Sequence, residues 1–231
     1  NNGTCIPHFH EMIRKNMFGS MSDLVFKVVS HSAMLLYLDN NNSTGDKSKA
    51  RKQKWTTDGT NENLARETLE LFTVTPINGY TQEDVINAAY IMTGWGMVGW
   101  KKGQGEAKKI GYQGSLHEPG THEVLGKQYQ SSGFDKKTKG KKQLRQLVED
   151  LCASEDCRNF IAFKLCRHFI CDNPSKEMIK TVTDAWLKSK GILIDIHKAV
   201  LEAAWKYGET EEKFLSPETW LIQIARMTGA D

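Results

Sequence analysis

Apolar residues along most of the chain recur every three or four positions, the period of a helix that turns one stripe towards a core. Leu24, Val25, Val28 and Val29 form one such stripe after the start signal Ser22-Asp23. Leu64, Leu71 and Phe72 form another, as do Val85, Ala88, Ala89 and Met92. In the second half, Leu144, Leu147, Val148 and Leu151 share a face, and so do Met178, Ile179, Val182, Ala185 and Trp186. The segment after Ser154 is apolar nearly all round, at Phe160, Ile161, Phe163, Leu165, Phe169 and Ile170, which predicts a central helix. Shorter helices are predicted around Phe9 to Met17 and Ala33 to Leu38. Others are predicted over Ile192 to Tyr207 and after Ser216-Pro217, with proline at the first helical position.

The boundaries are written in capping chemistry. Thr81 with Asp84 forms a capping box, and Tyr80 before it can staple onto Val85. Thr60 is the predicted N-cap of the helix that starts at Asn61, and Gly94 the predicted stop of the next. Residues 40–60 are poor in apolar side chains and read as a loop. Residues 96–135 are punctuated by glycine, with Ile110 to Leu116 and Thr121 to Leu125 as two strands joined through Glu118-Pro119-Gly120. The expected fold is therefore mainly α: a single multi-helix orthogonal bundle over residues 1–231, with one small β-hairpin in a glycine-rich insertion at 96–137.

Composition narrows the function classes. The 231 residues are 39% hydrophobic and 26% charged, as in a globular domain, and contain no apolar run long enough for a membrane span. A net charge of +3 is too mild to argue for nucleic acid. The basic stretches Lys101 to Lys109 and Lys136 to Arg145 read as solvated loops. Cys152, Cys157, Cys166 and Cys171 lie within one short window. Residues five apart in a continuous helix are too distant for a disulfide, so local bridges need helix breaks, and buried free thiols are the simpler expectation. No phosphate-binding loop, nucleophile elbow, zinc-protease motif or dinucleotide fingerprint is present, so no cofactor is implied.

The candidate chemistry lies around the Asn61 helix, which carries more polar groups than a packing helix needs. Glu62, Arg66 and Glu70 follow one another at four-residue spacing, so both neighbouring pairs can meet on the surface. With Asp39, Asn61, Asn63, Glu67, Trp95 and His117 they make a set of carboxylate, amide, guanidinium and aromatic groups suited to a polyhydroxylated, carbohydrate-like ligand, Trp95 serving as a stacking platform. In a hydrolase, Glu62 or Glu67 would be the base and His117 the proton donor. In a binding protein the same groups would hold a ligand without turnover. In a structural bundle they would be an ion-pair network alone. Asp39, Glu62 and His117 could also supply mixed metal ligands.

The motifs Asn61-Glu62-Asn63, Ala65-Arg66-Glu67, Gly79-Tyr80-Thr81, Asp84-Val85 and Thr93-Gly94-Trp95 resemble the core signature of a large bacterial family, domain of unknown function 1800. Ala33 to Asp39 upstream is similar to the same family, as are His117-Glu118-Pro119-Gly120 with Leu125-Gly126, and Phe160 to Leu165, downstream. Glu118 stands where the family has Asp, and His122-Glu123 where it has Lys-Thr. The resemblance implies a helical fold belonging to a larger protein, a periplasmic or secreted location, and a possible sulfatase-like partner, since such proteins are often encoded alongside.

Overall fold

The structure is a computed structural model that describes residues 5–75, 79–98, 109–131, 139–208, 213–214 and 216–229. Among the described residues, two antiparallel hairpins interrupt a mainly helical chain. The first half contains α1 (Cys5–Asn16), α2 (Met21–Val29), α3 (Ser32–Tyr37), α4 (Lys49–Lys52), α5 (Asn63–Glu67) and α6 (Gln82–Met92). Strands β1 (Trp95–Val98), β2 (Lys109–Tyr112), β3 (Thr121–Val124) and β4 (Lys127–Gln130) follow. The second half contains α7 (Lys139–Ala153), α8 (Glu155–Phe169), α9 (Lys176–Ser189), α10 (Leu193–Tyr207) and α11 (Pro217–Thr228).

Two apolar clusters organise the chain. One gathers α2, α3, α5, α6 and α7 around Leu64, Leu69, Ile91, Met92 and Leu147. The other gathers α8, α9 and α10 around Cys166, Met178, Trp186 and Ile196, and Met21 packs against both. The predicted capping box forms: Thr81 Oγ1 accepts the Asp84 N–H while the Asp84 carboxylate accepts the Thr81 N–H. Arg145 ties α7 to α2 by pairing with Asp23 and lying 5.0 Å over the Phe26 ring.

Four expectations need correction. The glycine-rich region makes two hairpins, not one. β1 pairs with β2 and β3 with β4, so Ile110 and Thr121 belong to different sheets. Leu125 and Gly126, at φ 51° and 73°, make the two-residue turn of the second hairpin. Second, α5 continues as a π-helix over Thr68–Thr73. The wider turn shifts the phase, so Leu69 takes the core position and Leu71 is left exposed. Third, α8 is not central. Its small residues Cys157, Ala162 and Cys166 face inward, while Phe160 and Phe163 lie under Lys164 and Arg167 and Phe169 is exposed. Fourth, residues 40–60 are not a free loop. Ser43, Thr44, Ser48 and Ala50 are buried, with Gly45 N donating to Leu116 O at 2.8 Å and Ala50 N to Ser115 O at 2.9 Å. Small polar residues with paired backbone groups fill the space that larger apolar ones would fill elsewhere. Apart from Lys109 and 139–145, the two basic stretches fall outside the described residues, as does the predicted turn residue Asn78.

Candidate functional site

The chain enters α5 through a clasp built from two of the predicted site residues. Asn61 Oδ1 accepts the Asn63 N–H at 2.8 Å just ahead of the helix, whose N-cap position is Glu62; the predicted cap Thr60 instead donates its hydroxyl to Thr44 O. Asn61 Nδ2 donates to the Asp39 carbonyl at 3.4 Å, and Asn61 N donates to Ser43 Oγ at 3.0 Å. The 40–60 segment therefore closes on itself and brings Asp39 to the start of the helix. Asp39 and Asn61 serve this entry.

One turn on, Glu62 and Arg66 form a closed ring with Gln82 from the first turn of α6. Arg66 Nη2 donates to Glu62 Oε2 at 3.0 Å and to Gln82 Oε1 at 2.9 Å, while Gln82 Nε2 donates to Glu62 Oε2 at 2.7 Å. The Arg66 and Glu62 side chains are 42% and 36% exposed. The ring is thus a surface feature, and its ion pair contributes about 0.2–1 kcal/mol to stability after solvent screening. Asn63 and Glu67 sit one residue further round the helix, outside the ring.

Two tyrosines bracket Gln82 along the chain. Tyr80 donates its hydroxyl to Glu70 Oε2 at 3.1 Å. Partial burial raises its pKa, with the Glu70 carboxylate adding to the rise and Arg66 opposing it. Tyr90, two turns along α6 from Gln82, donates to Asp46 Oδ2 at 3.1 Å. Its pKa is raised by burial first, then by Asp46, Glu118 and Glu62 in turn. The Tyr90 hydroxyl therefore lies within electrostatic reach of carboxylates from three separate segments.

His117 belongs to a different environment. It is buried where Thr93, Tyr112 and Gln143 meet, its ring against Tyr112 of the first hairpin at 5.5 Å between centroids. Nδ1 faces the Thr93 carbonyl at 3.0 Å and Nε2 faces Gln143 Oε1 at 3.0 Å. The Gln143 amide orientation follows from its nitrogen, which donates to Tyr129 O at 2.8 Å and Gly120 O at 3.4 Å. Both ring nitrogens thus meet acceptors, which favours imidazolium, but burial dominates and holds the pKa below the usual histidine value. Glu118 is also buried, accepting the Lys47 N–H at 2.7 Å, and burial raises its pKa against that hydrogen bond. His122 stacks at 5.4 Å on Tyr90, its pKa is lowered by burial, and its Nε2 has no hydrogen-bond partner.

Trp95 is taken up by the core. Its ring meets Phe26 edge-on at 5.8 Å and Tyr112 at 5.7 Å, and it offers no open face for stacking. Asp39, Glu62 and His117 do not converge, and no group of three or more His, Cys, Asp or Glu able to hold a metal occurs among the described residues. The predicted constellation thus divides into an entry clasp, an exposed ring, a core tryptophan and a buried histidine node. Sequence reasoning missed Gln82, Tyr90 and Asp46. The first two were accessible to a helical wheel, because 82, 86 and 90 share one stripe along the edge of the buried 85, 88, 89 and 92. Asp46 lay in a segment read as loop.

No helix among the described residues is long and apolar enough to cross a membrane. The family model described as "Protein of unknown function (DUF1800)" matches residues 2–231. No curated protein and no solved structure matches the chain.

Proposed function

The chain belongs to the DUF1800 family, and from the surface geometry we propose that it binds a polyhydroxylated, carbohydrate-like ligand along the strip from Tyr80 to Tyr90. The observation that carries the reading is the exposed Glu62–Arg66–Gln82 hydrogen-bonded ring, with Tyr80 two residues before Gln82 and Tyr90 two turns after it. It presents guanidinium donors, an amide and a carboxylate on the exposed surface. Sugar hydroxyls both donate and accept, and each can exchange with a member of the ring without leaving a charge unpaired.

The geometry favours binding over hydrolysis. An acid–base pair needs two carboxyl groups facing each other across the scissile bond. Glu62 is already held by Arg66 and Gln82. Glu67 lies off the ring, and His117 is buried with both nitrogens engaged. If the ligand is shared with the sulfatase-like partner that the family resemblance implies, Arg66 is the cation a sulfated sugar would meet.

The test is a thermal-shift screen against neutral and sulfated oligosaccharides, followed by titration of the Glu62→Ala variant. A hit should weaken about tenfold in the variant, which corresponds to roughly 1.4 kcal/mol. The variant's own melting temperature should move by no more than about 4 °C, as for an exposed pair. A hit unaffected by Glu62→Ala, or a screen with no hit at millimolar sugar, overturns the reading.

A further inference from the structure

The two apolar clusters leave a cavity of about 350 Å³ where they meet, lined by the start of α2, the end of α7, the start of α8 and the end of α9. Backbone bonds hold one rim: Met21 N donates to Gly191 O at 2.9 Å and Leu193 N to Gly19 O at 2.7 Å. Met21, Ala153, Trp186 and Leu187 give the cavity apolar surface, joined by the buried free thiol of Cys152. Leu187 is exposed although apolar. The charged groups in the lining are Glu149, Arg158 and Lys190. Glu149 is already engaged, accepting from Arg145 Nε at 2.7 Å. Arg158 Nη1 donates to Ala153 O at 2.6 Å, which fixes the guanidinium at the cavity wall and leaves its other donors for a ligand. Neither Arg158 nor Lys190 forms an ion pair among the described residues. The C-termini of α7 and α9 bring about half a negative charge each to the same place, less than the two full cations supply.

We propose that this cavity binds a small amphipathic carboxylate, its apolar body on Trp186 and Leu187 and its carboxylate on Arg158 and Lys190. The volume lies at the small end of ligand cavities, which suits a body of roughly eight to twelve carbon atoms. Burial of that body drives binding, and the planar guanidinium fixes the carboxylate through paired hydrogen bonds. An alcohol of the same length would leave both cations unanswered, and an amine would meet them as a like charge. The body is either a fatty chain or an aromatic ring, and the test carries both. Lys190 caps α9 in the left-handed region, at φ 56° and ψ 40°, where glycine is the less strained residue. Removing this cation by glycine therefore separates binding from stability. The cavity shares no residue with the Glu62–Arg66–Gln82 ring.

The experiment titrates the wild-type chain with octanoate, naphthoate, octanol and octylamine, reading affinity by calorimetry and location by NMR of methionine methyl and tryptophan indole signals. At least one carboxylate should bind about tenfold more tightly than octanol or octylamine, and should shift the Met21 methyl and Trp186 indole signals together. Octanoate ahead of naphthoate makes the ligand a fatty acid, and the reverse makes it an aromatic acid. Arg158→Gln should weaken the carboxylate about tenfold and leave octanol unchanged. Lys190→Gly should weaken it about threefold while melting at or above the wild-type temperature. No carboxylate binding at millimolar concentration overturns the proposal. Octanol binding as tightly as octanoate, or shifts that bypass Met21 and Trp186, overturns it equally. The wild-type titration decides the matter even if a variant does not fold.

Discussion

Gln143 is a buried amide that joins three pieces of chain, and replacing it with leucine is the sharpest test of how the second hairpin is held. Its oxygen faces His117 Nε2, and its nitrogen donates to the Tyr129 and Gly120 carbonyls. Leucine keeps the volume and removes all three contacts. Gly120 O retains the Ser131 N–H at 3.1 Å. His117 Nε2 is orphaned, which costs about 1–3 kcal/mol, and the Tyr129 bond adds roughly 0.5–1.5 kcal/mol. The loss to be measured is therefore about 2–4 kcal/mol, read as a lower midpoint in urea at unchanged slope, or a melting point lower by roughly 5–15 °C. Gln146→Leu, on the same helix but exposed, is the control and should stay within about 0.5 kcal/mol of wild type. A Gln143→Leu protein as stable as that control would refute the argument that this amide holds the hairpin.

Two further perturbations follow from the same contacts. His117 and His122 have folded-state pKa values below their unfolded value. The folded chain therefore binds fewer protons than the unfolded one below about pH 6.5, and stability is lost as pH falls through that window. Glu118, whose pKa is raised by burial, acts in the opposite direction. Melting points between pH 7.5 and 5 should fall on acidification, and fall more steeply in Glu118→Gln. A flat or rising profile in both proteins contradicts this. Gly45 tolerates no side chain, because a Cβ there would come within 2.6 Å of the Glu118 backbone. Gly45→Ala should cost about 1–3 kcal/mol as overpacking, measured by urea unfolding. A neutral result would mean that the buried 43–50 segment yields readily.

What could be read from the sequence followed from local rules. The Thr81–Asp84 box, the α6 stripe and the proline start of α11 depend on residues a few positions apart, and all form as expected. The failures came where distant contacts decide. Nothing local announced the π-turn after Glu67 that turns Leu71 outward. The burial of Ser43 and Ser48 depends on backbone partners some seventy residues away in sequence, around Ser115 and Leu116. For the candidate site, the Glu62–Arg66 pair was legible from its spacing. Its third member, Gln82, comes from another helix. Trp95 and His117 were chosen by residue type, and only the packing reveals that both lie inside.

The central claim is that the ring between Tyr80 and Tyr90 is a ligand surface. The most direct measurement is NMR titration of the wild-type protein with a hit from the oligosaccharide screen, following side-chain signals. The account predicts shifts concentrated at the Gln82 amide, the Arg66 guanidinium and the Tyr90 ring. Shifts confined to the Trp186 cavity, with those three groups unmoved, would contradict it.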